Sequence, residues 1–155
     1  MLTHWVEPSP IPLSGCALLA SCDEAELQLL EDRMESVSFA AGERIIQTGT
    51  SADKLYILIV GSVEVHLRLD GNRHQRLDVF SAGMSFGELA FLDRSPRSAD
   101  IVAMSDVQCR VISLPFFDSL SADFPVLKSK ILNEIALQLC DRLRLANIEI
   151  SALRS

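Results

Sequence analysis

Read for its apolar and polar positions, the chain changes period twice. Pro8, Pro10 and Pro12 keep the first dozen residues extended. Apolar residues then recur at Leu27, Leu30, Met34 and Val37 with the spacing of one helix face. Ser21 and Glu24 stand three residues apart, the spacing of a capping box, and predict where that helix begins. From Val37 to about Leu114 short β-rich runs take over, at 44–47, 55–60, 62–69, 75–80, 99–104 and 107–114. Gly42, Gly49, Gly61, Gly71, Gly83 and Gly87 punctuate these runs as turns, and Asp70-Gly71 carries the strongest hairpin signal. Helical spacing returns with a short segment from Pro115 to Leu120. After a break at Asp123-Phe124-Pro125, one long helix runs to the end.

This pattern predicts an α+β fold, mainly β, with many short strands in a sandwich or jelly roll. Residues 1–14 read as a stiff lead-in or linker, so the chain is expected to be a module of a longer protein. Residues 15–155 read as one domain, with the roll at about 37–114 and C-terminal helices at about 115–154. In the last helix Leu132, Ala136, Leu139, Leu143, Ala146, Ile150 and Leu153 alternate steps of four and three. That seam suits a coiled coil. It equally suits a helix packed on its own roll, and the two can coexist on different faces.

Composition narrows the partners more than the fold. A net charge of −7 argues against a general affinity for nucleic acid or an anionic membrane, both of which need a basic face. The longest strongly apolar run, 55–60, is far too short to span a bilayer, so no membrane insertion by this segment is expected. The start, MLTHWVEPSPIPL, has no basic n-region and does not read as a signal peptide. Cys16, Cys22, Cys109 and Cys140 lack CxxC spacing and are expected to be free thiols in a reducing, cytoplasmic setting.

Candidate chemistry concentrates in FGELAFLDRSPRSAD, residues 86–100. A phosphate needs oriented N–H donors and a positive charge, and the first turn of a helix supplies the donors. Gly87 lets backbone come close to a ligand, which offers the N–H groups near Gly87, Leu89 and Ala90. Arg97 adds a planar fork suited to two phosphate oxygens, and Ser98 with the N–H of Ala99 can complete the cage. Glu88 beside a phosphate makes sense only with a donor to accept from, and a sugar hydroxyl adjoining the phosphate fits. No nucleophile or acid–base pair accompanies these groups, so the expected chemistry is binding without catalysis, and no cofactor is implied. The bland alternative is a structural Glu88–Arg97 salt bridge.

Phe-Gly-Glu-Leu-Ala-Phe-Leu followed by Pro-Arg-Ser-Ala resembles the phosphate-binding cassette of the cyclic nucleotide-binding domain family, in its catabolite activator protein-like form. AGERII from Ala41 with Gly49, LYILIVGSVEV from Leu55, and Gly83 are similar to further motifs of that family, in the same order over roughly residues 20–150. The resemblance implies an eight-stranded β-roll with an N-terminal helix and a long C-terminal helix. It assigns a ribose 2′-hydroxyl to Glu88 and the cyclic phosphate to Arg97. Ser98 falls where members contact the phosphate or a guanine amino group, and Val65 and Leu77 fall where they line the base and sugar pocket. Arg142 matches a base-side arginine. Ala146-Asn147 stands where a member has Thr-Ser, leaving Asn147 as the substitute base contact. The implied role is a regulatory, signalling module for a 3′,5′-cyclic nucleotide, cAMP over cGMP, acting through its last helix on a second copy or a partner domain. Wording around SPRSAD and Arg144-Leu145-Ala146-Asn147 also resembles modules appended to bacterial anion transporters and glutaminases.

Three other readings compete. A cupin-like metal enzyme needs converging histidines, but only His4, His66 and His74 occur, without a His-x-His pair. A DNA-binding regulator needs an element to enter a groove, and none is expected here unless the parent protein continues past the long helix; the acidic charge also argues against it. A degenerate roll that has lost its ligand would not be expected to keep Glu88 and Arg97.

Overall fold

The computed structural model describes residues 9–154; His4, with the rest of residues 1–8, and Ser155 lie outside the described residues. Helix α1 spans Glu24–Arg33, and strands β1 (Glu35–Phe39), β2 (Arg44–Ile46), β3 (Lys54–Val60), β4 (Ser62–Arg68), β5 (His74–Ser81) and β6 (Ser85–Phe86) follow. Then come α2 (Glu88–Asp93), β7 (Asp100–Ala103), β8 (Val107–Ser113), α3 (Leu114–Asp123) and α4 (Pro125–Arg154). The strands form two antiparallel four-stranded sheets, ordered β1-β8-β3-β6 and β2-β7-β4-β5. This is the expected eight-stranded roll with flanking helices.

The start of α1 differs from its expected place. Asp23, not Ser21, is the N-cap: its carboxylate accepts from the N–H of Glu26, whose side chain accepts from the N–H of Asp23. The same box motif therefore sits two residues later, on a capping residue of equal strength. The Ser21 hydroxyl instead donates to Glu134 of α4 at 2.6 Å. Val37, expected on the helix face, belongs to β1, because the helix stops at Arg33. Strand β6, two residues paired with Tyr56 and Ile57, has no run of its own in the sequence.

Two hydrophobic cores explain why LYILIV reads as a continuous apolar run. Leu55 and Ile57 of β3 face one core, shared with Leu30, Phe91, Phe117, Leu120, Leu127, Ile131 and Ile135 of the helices. Tyr56 and Leu58 face the other, between the sheets, with Val63, Phe86, Ile101 and Val111. Successive side chains point to opposite faces of a strand, so a strand buried on both sides carries no polar alternation. Strand β5 is the opposite case: an edge strand in which only Phe80 is buried.

Residues ahead of α1 are part of the packing. Leu13 and Leu18 are buried in two short 3₁₀ turns, Leu13–Gly15 and Ala17–Leu19, and the N–H of Ile11 donates to the Ile59 carbonyl at 3.0 Å. The four cysteines are free, and burial pushes the Cys109 thiol up to about 12. No helix among the described residues is long and apolar enough to cross a membrane.

Candidate functional site

The stretch 86–100 folds as strand, helical turn, loop and strand, and forms one wall of a cavity that β2, β4, β5 and β7 also line. Gly87 caps α2 with a φ of +86°. The first turn of any helix has N–H groups without intrahelical acceptors, and the residues of this one, Glu88, Leu89 and Ala90, line the cavity. Across from them stand Arg97, Ser98 and Ala99. Ile46, Val65, Phe80 and Ile101 form the apolar wall, and Arg142 of α4 closes one side. Five of the phosphate candidates (Gly87, Leu89, Arg97, Ser98 and Ala99) therefore meet with Glu88, Val65 and Arg142 around one space.

Arg97 is only 6% exposed, yet among the described residues no carboxylate pairs with it. Its guanidinium donates from Nη1 to the Gly87 carbonyl at 2.7 Å and from Nη2 to the Lys54 carbonyl at 2.5 Å. Burial pushes its pKa down, with Asp53 and Glu88 opposing that from a distance. Two of its five N–H groups are used, and three remain. The expected alternative of a Glu88–Arg97 salt bridge is not what forms.

Glu88 pairs instead with Arg142. It is 1% exposed, its Oε1 accepts from Nη1 of Arg142, and its Oε2 is buried without a hydrogen-bond partner. A buried carboxylate oxygen left unsatisfied is costly and marks a place for a donor. Arg142 also donates to the Ser85 carbonyl at 3.2 Å and lies over the Phe80 ring at 4.8 Å. Ser85 in turn donates to Gln138 of α4 at 3.1 Å. The long helix is thus tied to the cavity through a single arginine and one neighbouring side chain.

Two candidates are not brought to the cavity. Leu77 is 53% exposed, because the β4–β5 register passes from Val65 opposite Asp78 to His66 opposite Arg76 and leaves Leu77 as the extra residue of a bulge. Asn147 is exposed on α4 beyond Arg142 and does not line the cavity. Conversely, Ile46, Phe80 and Ile101 line it although their sequence signal is that of ordinary inward strand positions. His66 and His74 lie on the β4–β5 hairpin, and no three His, Cys, Asp or Glu side chains among the described residues are grouped to hold a metal.

Comparison with known proteins places this geometry in a family. The profile described as "Cyclic nucleotide-binding domain" matches residues 36–124, more than half of the chain. Glutaminase 2 of Bradyrhizobium diazoefficiens is 35% identical over 143 residues, covering 92% of this chain and 22% of that protein. A cAMP-dependent protein kinase regulatory subunit of Mucor circinelloides is 32% identical over 108 residues, 70% of this chain and 25% of that protein. The chain thus spans a quarter or less of these two curated relatives. The crystal structure of a cyclic nucleotide-binding domain from Methylobacillus flagellatus superposes with a TM-score of 0.77 at 26% identity, over 83% of this chain and 72% of that one. With its profile match, its relatives and its two-sheet roll in agreement, the chain belongs to the cyclic nucleotide-binding domain family.

Proposed function

We propose that this domain is a non-catalytic sensor that binds a 3′,5′-cyclic nucleotide, cAMP in preference to cGMP, and passes occupancy on through α4. The observation that carries this reading is the buried guanidinium of Arg97, a cation without a counter-charge at the edge of a mostly apolar cavity. A buried charge is tolerated when a partner compensates it. A cyclic phosphate is such a partner: the three unused Arg97 N–H groups, Ser98, and the N–H groups of Gly87, Leu89 and Ala99 supply donors around one anion. The free Oε2 of Glu88 accepts from a ribose 2′-hydroxyl, while Val65 with Phe80 forms the sugar and base wall and Arg142 faces the base. The preference for cAMP is supported by the relative named for cAMP dependence.

The glutaminase relatives support a place for this domain as a regulatory module within a longer protein, where α4 acts on a neighbouring domain or a second copy. A ligand shifts an equilibrium only by binding one state better than the other. Here Arg142 holds Glu88, so a ribose on Glu88 changes what Arg142 and the helix carrying it can contact.

Titration calorimetry with cAMP and with cGMP tests the proposal. The intact chain is expected to bind cAMP more tightly than cGMP and to return the nucleotide unhydrolysed. Arg97→Ala is expected to lose roughly 2–5 kcal/mol of binding, as when one partner of a buried charge pair is removed. Glu88→Ala is expected to lose less, because it gives up one hydroxyl contact and relieves repulsion of the phosphate. Absence of binding by either nucleotide at high micromolar concentration overturns the sensor reading.

A further inference from the structure

Asp100 opens β7 and lies just beyond the proposed phosphate cage, but it does not line the cavity. Its carboxylate is buried on the side of the sheet away from Ile101. Oδ1 accepts from the Thr48 N–H at 2.7 Å and from the Thr48 hydroxyl at 2.8 Å. Oδ2 accepts from Arg68 Nε at 2.9 Å, with Arg44 Nε at 3.8 Å. Thr48 belongs to a turn that touches the cage directly. The N–H of Gly49 donates to the Arg97 carbonyl at 2.8 Å, and the N–H of Arg97 donates to the Thr50 carbonyl at 2.9 Å. The turn is closed within itself by the Thr50 hydroxyl on the Gln47 carbonyl at 2.6 Å.

These bonds make a ring. From Asp100 the path runs to Thr48, along the chain to Gly49, across to Arg97, and back through Ser98 and Ala99 to Asp100. Both backbone polar groups of Arg97 are held by the turn, and Asp100 anchors the turn to the strand that follows Arg97. Two proposed phosphate-contacting residues, Ser98 and Ala99, lie inside the ring. A binding group that is fixed before its ligand arrives avoids the entropic cost of ordering it during binding.

We propose that Asp100 is a positioning residue for the anion site: through Thr48 it clamps the 47–50 turn against the backbone of Arg97 and so holds the guanidinium, Ser98 and Ala99 in their binding arrangement. The inference rests on the cyclic-nucleotide reading for its ligand. It also separates cleanly from simple electrostatics. A carboxylate near an anion site repels the anion, so on charge alone Asp100→Asn tightens phosphate binding. Positioning has the opposite sign.

The test uses the intact chain and its Asp100→Asn, Thr48→Val and Thr48→Ser variants, with cAMP in the calorimeter and amide hydrogen exchange on the ligand-free proteins. Asp100→Asn is expected to weaken cAMP binding about tenfold, the scale seen when a group that orients a ligating residue is removed. Thr48→Val should weaken it in the same direction by less, and Thr48→Ser, which restores the hydroxyl, should bind like the wild type. Without ligand, the Gly49 and Arg97 amides should exchange faster in Asp100→Asn and Thr48→Val while those of β3 stay protected. Unchanged or tighter binding by folded Asp100→Asn, or undisturbed Gly49 and Arg97 amides, overturns the proposal. If Asp100→Asn does not fold, the Thr48 pair decides alone. A wild type silent to both nucleotides overturns the sensor reading instead, and the exchange arm then decides the clamp without a ligand.

Discussion

Asp100 also sets an acid limit on the domain. Burial by itself pushes its pKa up, but hydrogen bonds from Thr48 and Arg68 outweigh that and hold it at about 2, below its ordinary 3.8. A carboxyl whose folded pKa is depressed stabilises the fold fully above its unfolded pKa and loses that contribution as the pH falls through the folded value. The Asp100 contribution is therefore complete above about pH 5 and is lost progressively between about pH 4 and pH 2. Its size is on the order of 2 kcal/mol. Denaturant midpoints measured from pH 5 downwards should fall more steeply for the wild type than for Asp100→Asn, and parallel curves would show that another carboxylate governs the acid limb. At this scale the sequence displayed the charged members of the site well. Arg97 and Glu88 stood out because charge among apolar neighbours demands a partner, yet which partner each takes was hidden. Glu88 meets Arg142 from 54 positions along the chain, and no local pattern encodes that pairing.

The short element that carries the site, α2, depends on how it starts. Gly87 has a positive φ, and a Cβ on it would lie 2.8 Å from Nη1 of Arg97. Gly87→Ala therefore meets two costs: a left-handed backbone for an L-residue, roughly 1–2 kcal/mol, and displacement of the guanidinium from the Gly87 carbonyl. Gly42 has nearly the same φ, +88°, with nothing within 4 Å of an added Cβ. Gly42→Ala is thus the control: both variants should lower the denaturant midpoint, but only Gly87→Ala should also weaken cAMP binding in calorimetry. Equal affinities in the two would mean that Arg97 tolerates being moved. Elements with strong periodicity or turn residues were legible in the sequence, including the β4–β5 hairpin and the break before Pro125. Four features were not, and the first is β1, whose Val37 reads as the last residue of the α1 face. The two-residue β6 is too short for any period, and the bulge at Leu77 shifts register without a glycine or proline to mark it. The true start of α1 was obscured because two box-like spacings overlap within six residues.

For the molecule as a whole, α4 is the element with surface left over. Its 30 residues extend about 45 Å, and only Leu127, Ile131 and Ile135 are buried against the roll, all in its first half. Packing and the alternating seam overlap at Leu139, which is half-buried against the same core, and separate only beyond it. Past Leu139 the seam is open: Leu143 is 63% exposed, Ile150 49% and Leu153 85%. Arg142 lies off that seam and holds Glu88, so one helix contacts the cavity on one row and presents apolar residues on another. The expected outcome is pairing of two copies along the seam, or its contact with a neighbouring domain, of modest affinity because Ala136 and Ala146 bury little area and the heptads are three. Sedimentation of the intact chain should show a concentration-dependent dimer whose dissociation constant changes on adding cAMP, since nucleotide and partner act on the same helix. Leu143→Lys combined with Ile150→Lys should abolish the dimer while leaving Glu88, Arg97 and Arg142 in place, and so leave a monomer that still binds cAMP. A wild type that stays monomeric with and without nucleotide overturns self-pairing and leaves the seam to a neighbouring domain. A dimer indifferent to cAMP would instead break the link from Glu88 through Arg142 to the seam.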